Sequence, residues 1–294
     1  MRSLALVAVV ACGAPQAPRG EHAPLSLAAD ERMVLIPAGR YVAGSTPEER
    51  AAAYDDYQAT ANRDVARANH WFDREADRHV AQLPAFRIDL MPVTQAEYAE
   101  YVATGKAKPP TMDAATWRAQ GFTQDYEVEV IRDVWRDGRP PAGREDHPVV
   151  LVAWADAAGY CAWRGEQRGE PRRLPTAAEF EKAARGDNGL AYPWGNAFEP
   201  ARLDSAVTGP RDTEAVGNLP GGASPYGVLG MAGNVFQWTA TPWAEAGKRE
   251  REEMTVKGSA WDDFGGVGRG ASAHGRPIEA RHVIVGFRCA ADSR

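Results

Sequence analysis

From Ala191 to the carboxyl terminus the chain loses regular hydrophobic periodicity, and that loss narrows the folds open to it. Tyr192-Pro193-Trp194-Gly195-Asn196, Tyr226-Gly227-Val228-Leu229-Gly230 and Asn234-Val235-Phe236-Gln237-Trp238 set bulky aromatics between glycines. Such spacing fits neither a helical nor a strand repeat. The chain carries 29 glycines and 21 prolines, which favour turns over long regular elements. The segment reads as a loop-heavy core whose backbone groups bond to side chains or bound ions. No strand–helix–strand alternation precedes it, which argues against Rossmann and barrel folds and for an α+β domain with low regular secondary structure.

Upstream, short elements are legible. Met33–Ile36 and Arg40–Val42 flank Pro37-Ala38-Gly39 and read as a hairpin. Residues 46–78 read as one long helix, with Thr46 as cap, Pro47 in the first turn and Glu49 closing a capping box. Tyr54, Tyr57, Ala61, Val65, Ala68 and Phe72 would form its apolar face. His70 and His79 lie too far apart for one turn, so no metal site is read there. Phe86–Leu90 alternates like a strand. Thr94 and Thr176 open further capping boxes, and Asp113 caps a short helix ending before Gly121. Val128–Val134 and His147–Val152 read as strands, and Trp154–Arg164 as a buried helix carrying Cys161.

The amino terminus reads as an address. Arg2, the apolar run Leu4–Val10 and Val9-Val10-Ala11-Cys12 look like a bacterial lipoprotein signal, with residues 1–11 removed and Cys12 lipidated. The run is too short to span a bilayer as a helix, whereas several acyl chains on one cysteine anchor stably. Residues 12–30 read as a lipidated tether, and residues 31–294 as one domain with a helical insertion at 46–80. That places the protein at the cell envelope, facing the periplasm or exterior. Of the three cysteines, Cys161 and Cys289 remain able to pair in an oxidising compartment. Net charge is −6 with no basic stripe, which argues against nucleic acid.

Ordered motifs then carry a family resemblance. His147-Pro148-Val149, Tyr160-Cys161-Ala162-Trp163, Arg173-Leu174-Pro175-Thr176, Tyr192-Pro193-Trp194-Gly195-Asn196, Gly233-Asn234-Val235-Phe236-Gln237-Trp238 and Gly286-Phe287-Arg288-Cys289-Ala290 follow one another. Together they resemble the formylglycine-generating enzyme (sulfatase-modifying factor) family, from about Met33 to Ala291. The resemblance implies a variant of the C-type-lectin fold and a structural disulfide between Cys161 and Cys289.

The family's oxidases hold copper through two cysteines in the segment that here spans Gly258–Gly270. Asp262 and Asp263 stand near the first position and glycines fill the rest. Carboxylates are hard ligands and hold Cu(I) poorly, so copper is not expected. The helical domain that completes the histidine set of the related iron-dependent sulfoxide synthases is not seen either. Calcium is the second implied metal. Asp204, with the Ser205 carbonyl, matches one calcium loop. Gly230 and Gln237, with the Gly233 and Val235 carbonyls, match a weaker one lacking a charged ligand.

Ser259 matches the family's active-site serine, with no clear role once the thiols are gone. Asp262 and Asp263 are acid–base candidates or solvated turn residues. His274, near Arg276 and Arg281, is an anion-binding candidate or a plain surface histidine. Trp261, His274 and Arg276 mark the expected ligand surface. The favoured reading is a pseudoenzyme lipoprotein that binds a protein or glycan ligand or assists assembly. The alternative is an oxygen-dependent oxidoreductase of the formylglycine-generating type with an altered metal site, such as Asp262, Asp263 and His274 around a harder metal.

Overall fold

The computed structural model describes residues 33–243 and 252–293. Cys12 and the rest of the amino-terminal address lie outside the described residues. The chain runs through β1 (Met33–Ile36), β2 (Gly39–Ala43), α1 (Pro47–Ala61), α2 (Val65–Ala68), β3 (His79–Leu83), β4 (Phe86–Asp89) and α3 (Gln95–Ala103). It continues through α4 (Ala114–Ala119), α5 (Trp154–Arg168), α6 (Ala177–Arg185), β5 (Phe236–Pro242), β6 (Glu253–Lys257), β7 (Ala273–Pro277), β8 (Val285–Gly286) and β9 (Ala290–Asp292). Three small sheets result, ordered β1-β4-β9, β2-β3 and β7-β6-β5-β8. Every pairing is antiparallel except β5 with β8.

The capping boxes at Thr46, Thr94 and Thr176 form as the sequence indicates, each with a glutamate three residues on. Other elements differ from their sequence reading. The expected β1–β2 hairpin does not form, because β1 pairs with β4 and β2 with β3. The buried Lys182 ammonium donates to the Pro37 carbonyl at 2.6 Å and holds the corner between them. The long helix over 46–78 breaks after Ala61, where Asn62 adopts a left-handed φ of 52°. Only the short α2 follows, and Phe72 reaches the core from irregular backbone. Residues 126–130 form a π-helical turn rather than a strand, capped by Asp125. Pro148–Val152 is buried but joins no sheet. Val149 N–H donates to the Val93 carbonyl and Leu151 N–H to that of His282.

The core is aromatic and cross-braced. Tyr98, Tyr101, Tyr160, Trp163 and Phe287 meet edge-on or stacked around one point. There α5 is bonded to the carboxy-terminal strands by the Cys161–Cys289 disulfide, which spans 128 positions. The preceding residue, Arg288, is fully buried. Its guanidinium donates to the carbonyls of Asp89 (3.0 Å), Leu229 (2.7 Å) and Gly230 (2.8 Å) and to Gln237 Oε1 (2.5 Å). Burial pushes its pKa down to about 9, still well above neutrality. One cation thus satisfies acceptors from β4, the 229–230 loop and β5.

Helix α1 lies directly on the glycine run that follows β6. A Cβ on Gly266 would stand 2.3 Å from the Ala53 carbonyl oxygen, and one on Gly265 would stand 3.1 Å from that of Asp56. Gly265 N–H donates to Thr60 Oγ1 at 2.9 Å. A buried ion pair between Glu75 and Arg269 closes the same seam further along.

Two outcomes follow for urea unfolding. Replacing both Cys161 and Cys289 with serine lowers stability by about 2–5 kcal/mol, because the unfolded chain loses a long closed loop; a change under about 1 kcal/mol contradicts the bracing role. Gly266→Ala costs about 2–4 kcal/mol through backbone overlap and a positive φ. Gly143→Ala, at a positive φ with nothing within 4 Å, costs only about 1 kcal/mol. Equal costs at the two positions would contradict the seating of α1.

Candidate functional site

The turn between β6 and β7 carries the candidates Ser259, Trp261, Asp262 and Asp263. Gly258 has a φ of 83°, which lets the chain leave β6 sharply. Ser259 Oγ then accepts from Gly233 N–H at 2.8 Å, and Trp261 N–H donates to the Asn234 carbonyl at 3.0 Å. Ser259 is 1% exposed and acts as a stitch between two loops. Trp261 is also 1% exposed, so it does not line a surface. Its ring faces the Arg211 guanidinium at 5.8 Å.

Asp262 and Asp263 are half-buried rather than freely solvated turn residues. Asp262 accepts from Gln124 Nε2 at 2.6 Å, and Asp263 from Ala260 N–H at 2.8 Å. Burial raises the pKa of Asp262 against the pull of Gln124 and Arg211. Burial and then the neighbouring Asp262 charge raise that of Asp263 well above the carboxylate range. Two adjacent carboxyls in a poorly solvated turn resist double ionisation, and Arg276 partly compensates them.

His274 is not a plain surface histidine. Its ring lies edge-on to Trp71 (6.0 Å) and Phe236 (5.2 Å). Burial, with Arg276 and Lys257 nearby, pushes its pKa down to about 3, so the imidazole is neutral and is no anion site by charge. Arg276 lies over Phe236 at 5.8 Å. Among the described residues, no group of three or more His, Cys, Asp or Glu side chains converges to hold a metal, so Asp262, Asp263 and His274 do not form a ligand triad.

Copper does not fit this loop. Cys161 and Cys289 are bonded to each other, the first thiol position is held by carboxyls, and α1 fills the space beside Gly265 and Gly266. The calcium loops divide. Gln237 Oε1 accepts from Arg288, its Nε2 donates to the Gly230 carbonyl, and the Gly233 carbonyl accepts from Val235 N–H. Those oxygens are engaged beside a buried guanidinium, so a cation does not fit there. Asp204 fits. It is 2% exposed, and neither carboxylate oxygen has a hydrogen-bond partner. Burial, then the charges of Glu214 and Asp212, push its pKa up to about 8. The Ser205 carbonyl accepts from Gly209 N–H.

A cavity of about 30 Å³ opens beside Asp204, with Glu214, Asn234 and Arg202 on its walls. Asn234 holds Glu214 in place, its amide exchanging two hydrogen bonds with the Glu214 backbone. Glu214 and Gln124 are the residues that sequence reasoning missed. Both sit on loops where neither period nor motif marks them.

The fold and loops agree with comparisons to known proteins. The inactive C-alpha-formylglycine-generating enzyme 2 of Mus musculus is 29% identical over 310 residues, covering 92% of this chain and 88% of its own. The formylglycine-generating enzyme of Mycobacterium tuberculosis is 34% identical over 216 residues, covering 59% of this chain and 69% of its own. The solved structure of PvdO from Pseudomonas aeruginosa superposes with a TM-score of 0.65 at 22% identity, covering 89% of this chain and 94% of that one, which supports the fold. Residues 20–293 match the sulfatase-modifying factor enzyme 1-like domain, and the chain belongs to that family.

Proposed function

We propose that this chain is a family member without copper-oxidase chemistry, acting as a binding or assembly module at the cell envelope. The observation that carries this reading is the occupied thiol region. A carboxyl pair stands at the first position, helix α1 covers the glycines beyond it, and both described cysteines are joined in a disulfide. Cu(I) needs soft sulfur ligands, and this loop offers hard oxygen. The mouse relative carries the word inactive in its name, which accords with this reading.

The lipidated Cys12 and its tether would hold the domain at the membrane. One calcium ion at Asp204 would neutralise a buried carboxylate that has no other partner. Its role would be to fix the 204–214 loop beside the Asn234 turn, to which Asp204 is already joined by the Asn234 N–H bond to its carbonyl.

The test is oxygen uptake by the purified full chain supplied with copper and a cysteine-containing sulfatase peptide. The expected result is no uptake above the enzyme-free rate and no aldehyde on the peptide. Turnover with stoichiometric copper would overturn the proposal and restore the oxidase alternative. Fatty-acid labelling of the wild type, absent from Cys12→Ala, is the expected outcome for the anchor; equal labelling of both would refute it.

A further inference from the structure

Strands β1 and β2 lie against β4 and β3 in one continuous register, with Ile36 opposite Phe86 and Gly39 opposite Leu83. The four strands form a single bent ribbon. Along β4 its outer edge is covered by β9, whereas along β3 it is bare. Val42 N–H turns away from β3 and donates to the Asp187 carbonyl at 3.0 Å. Bonded and non-bonded residues alternate in an antiparallel pair, so Tyr41 with Ala81 and Ala43 with His79 exchange the ribbon's bonds. Val80 and Gln82 therefore turn their N–H and C=O groups outward. No main-chain group among the described residues bonds them from that side. His79, Val80 and Gln82 are exposed as well, and Val80 keeps 54% of its surface.

Other edges are guarded. β9 exchanges two main-chain bonds with Arg173, and β8 is buried. β7 ends in Pro277, its Gly275 carbonyl accepts from Arg276 Nη1 at 2.9 Å, and Trp243 stands over Gly275. Proline, charge and cover are the usual means of keeping an edge strand from pairing. The sequence of β3, His-Val-Ala-Gln-Leu, contains no proline, lysine, arginine, aspartate or glutamate.

We infer that β3 pairs with β3 of a second copy of this chain, antiparallel about a two-fold axis through Ala81. The two outward residues flank Ala81 symmetrically. Val80 then meets the second copy's Gln82, and Gln82 its Val80, each pair exchanging two main-chain hydrogen bonds. Every outward group of the strand is used. The two Val80 side chains fall diagonally on one face, about 7–8 Å apart. Charge favours this arrangement over a parallel one. Arg78 stands opposite Pro84, so the two Arg78 side chains lie at opposite ends. The second strand also continues the line of β9. Ser293 N–H donates to the Ala85 carbonyl at 3.4 Å, and the second copy's Arg78 comes next along that edge, near the exposed Asp292. Opposite charges thus meet at both ends. A strand of five residues buries less than the roughly 1,200–2,000 Å² of a stable interface, so the dimer is reversible. The pairing does not depend on the chemistry of the β6–β7 turn.

Sedimentation equilibrium tests it on the full-length chain carrying Cys12→Ser, which removes the lipidation site. The expected result is a monomer–dimer equilibrium with dimer prevailing at roughly 1 mM protein. Amide exchange at Val80 and Gln82 should slow as the dimer forms. Gln82→Pro removes an outward N–H and no bond of the ribbon, and it should weaken association at least tenfold, as should Val80→Lys. Leu35→Lys, at an equally exposed position on β1, should leave association unchanged. A monomer at every concentration would overturn the pairing. So would a dimer that Gln82→Pro and Val80→Lys leave intact, or one that only Leu35→Lys dissolves, which moves the contact to β1. Slow exchange at Val80 and Gln82 in a monomer would overturn it too, because a segment of the same chain then covers the edge. Exchange is read with β3 unaltered, so the test holds even where a variant misfolds.

Discussion

The backbone of α1 touches the backbone of the glycine run after β6, and that seam ties the amino-terminal helix to the turn between β6 and β7. Gly266 has no room for a side chain against Ala53, and Gly265 is bonded to Thr60 on the same helix. These two positions are thus glycine because a helix lies on them. Beside this seam, the half-buried Asp262 and Asp263 sit in a turn tied to the Asn234 loop through Trp261 and to Gln124 through Asp262. Burial raises both carboxyl pKa values in that turn and, with Arg276 and Lys257 nearby, keeps His274 neutral.

Around this seam the fold relies on a few multivalent groups rather than on long ladders. Arg288 binds acceptors from separate segments, and Arg185 does the same for the Gly44, Gly189 and Leu190 carbonyls. Loops with sparse regular structure leave many carbonyls without ladder partners, and a guanidinium with five donors can serve several at once. The Arg144 network with Asp133, Asp212 and Thr213 fixes the loop that ends in Glu214.

Much of this architecture is legible in the sequence where a local rule decides it. Thr-x-x-Glu boxes announced three helix starts, and the ordered motifs implied the family, the fold and the disulfide that the structure contains. The reading failed where a distant partner decides. The apolar spacing of residues 46–78 continues past Ala61, but the helix stops at the left-handed Asn62, and irregular backbone beyond it carries Glu75 to Arg269. Pro37-Gly39 resembles a hairpin turn until Lys182 claims its carbonyl. His274 and the Asp262–Asp263 pair look exposed in a glycine-rich stretch because nothing local says that Trp71, Phe236 and Gln124 will cover them. Asp204 is marked by its motif neighbourhood, whereas nothing local marks Glu214, which comes beside it only where two loops meet at Asn234.

The central claim is that this loop cannot hold a soft monovalent metal. Cu(I) titration of the oxidised Cys12→Ser chain against a competing Cu(I) chelator tests it most directly, because no reaction need be guessed. The account predicts that the chelator retains all the copper at every protein concentration. One equivalent of Cu(I) held by the protein, with the Cys161–Cys289 bond intact, would contradict it.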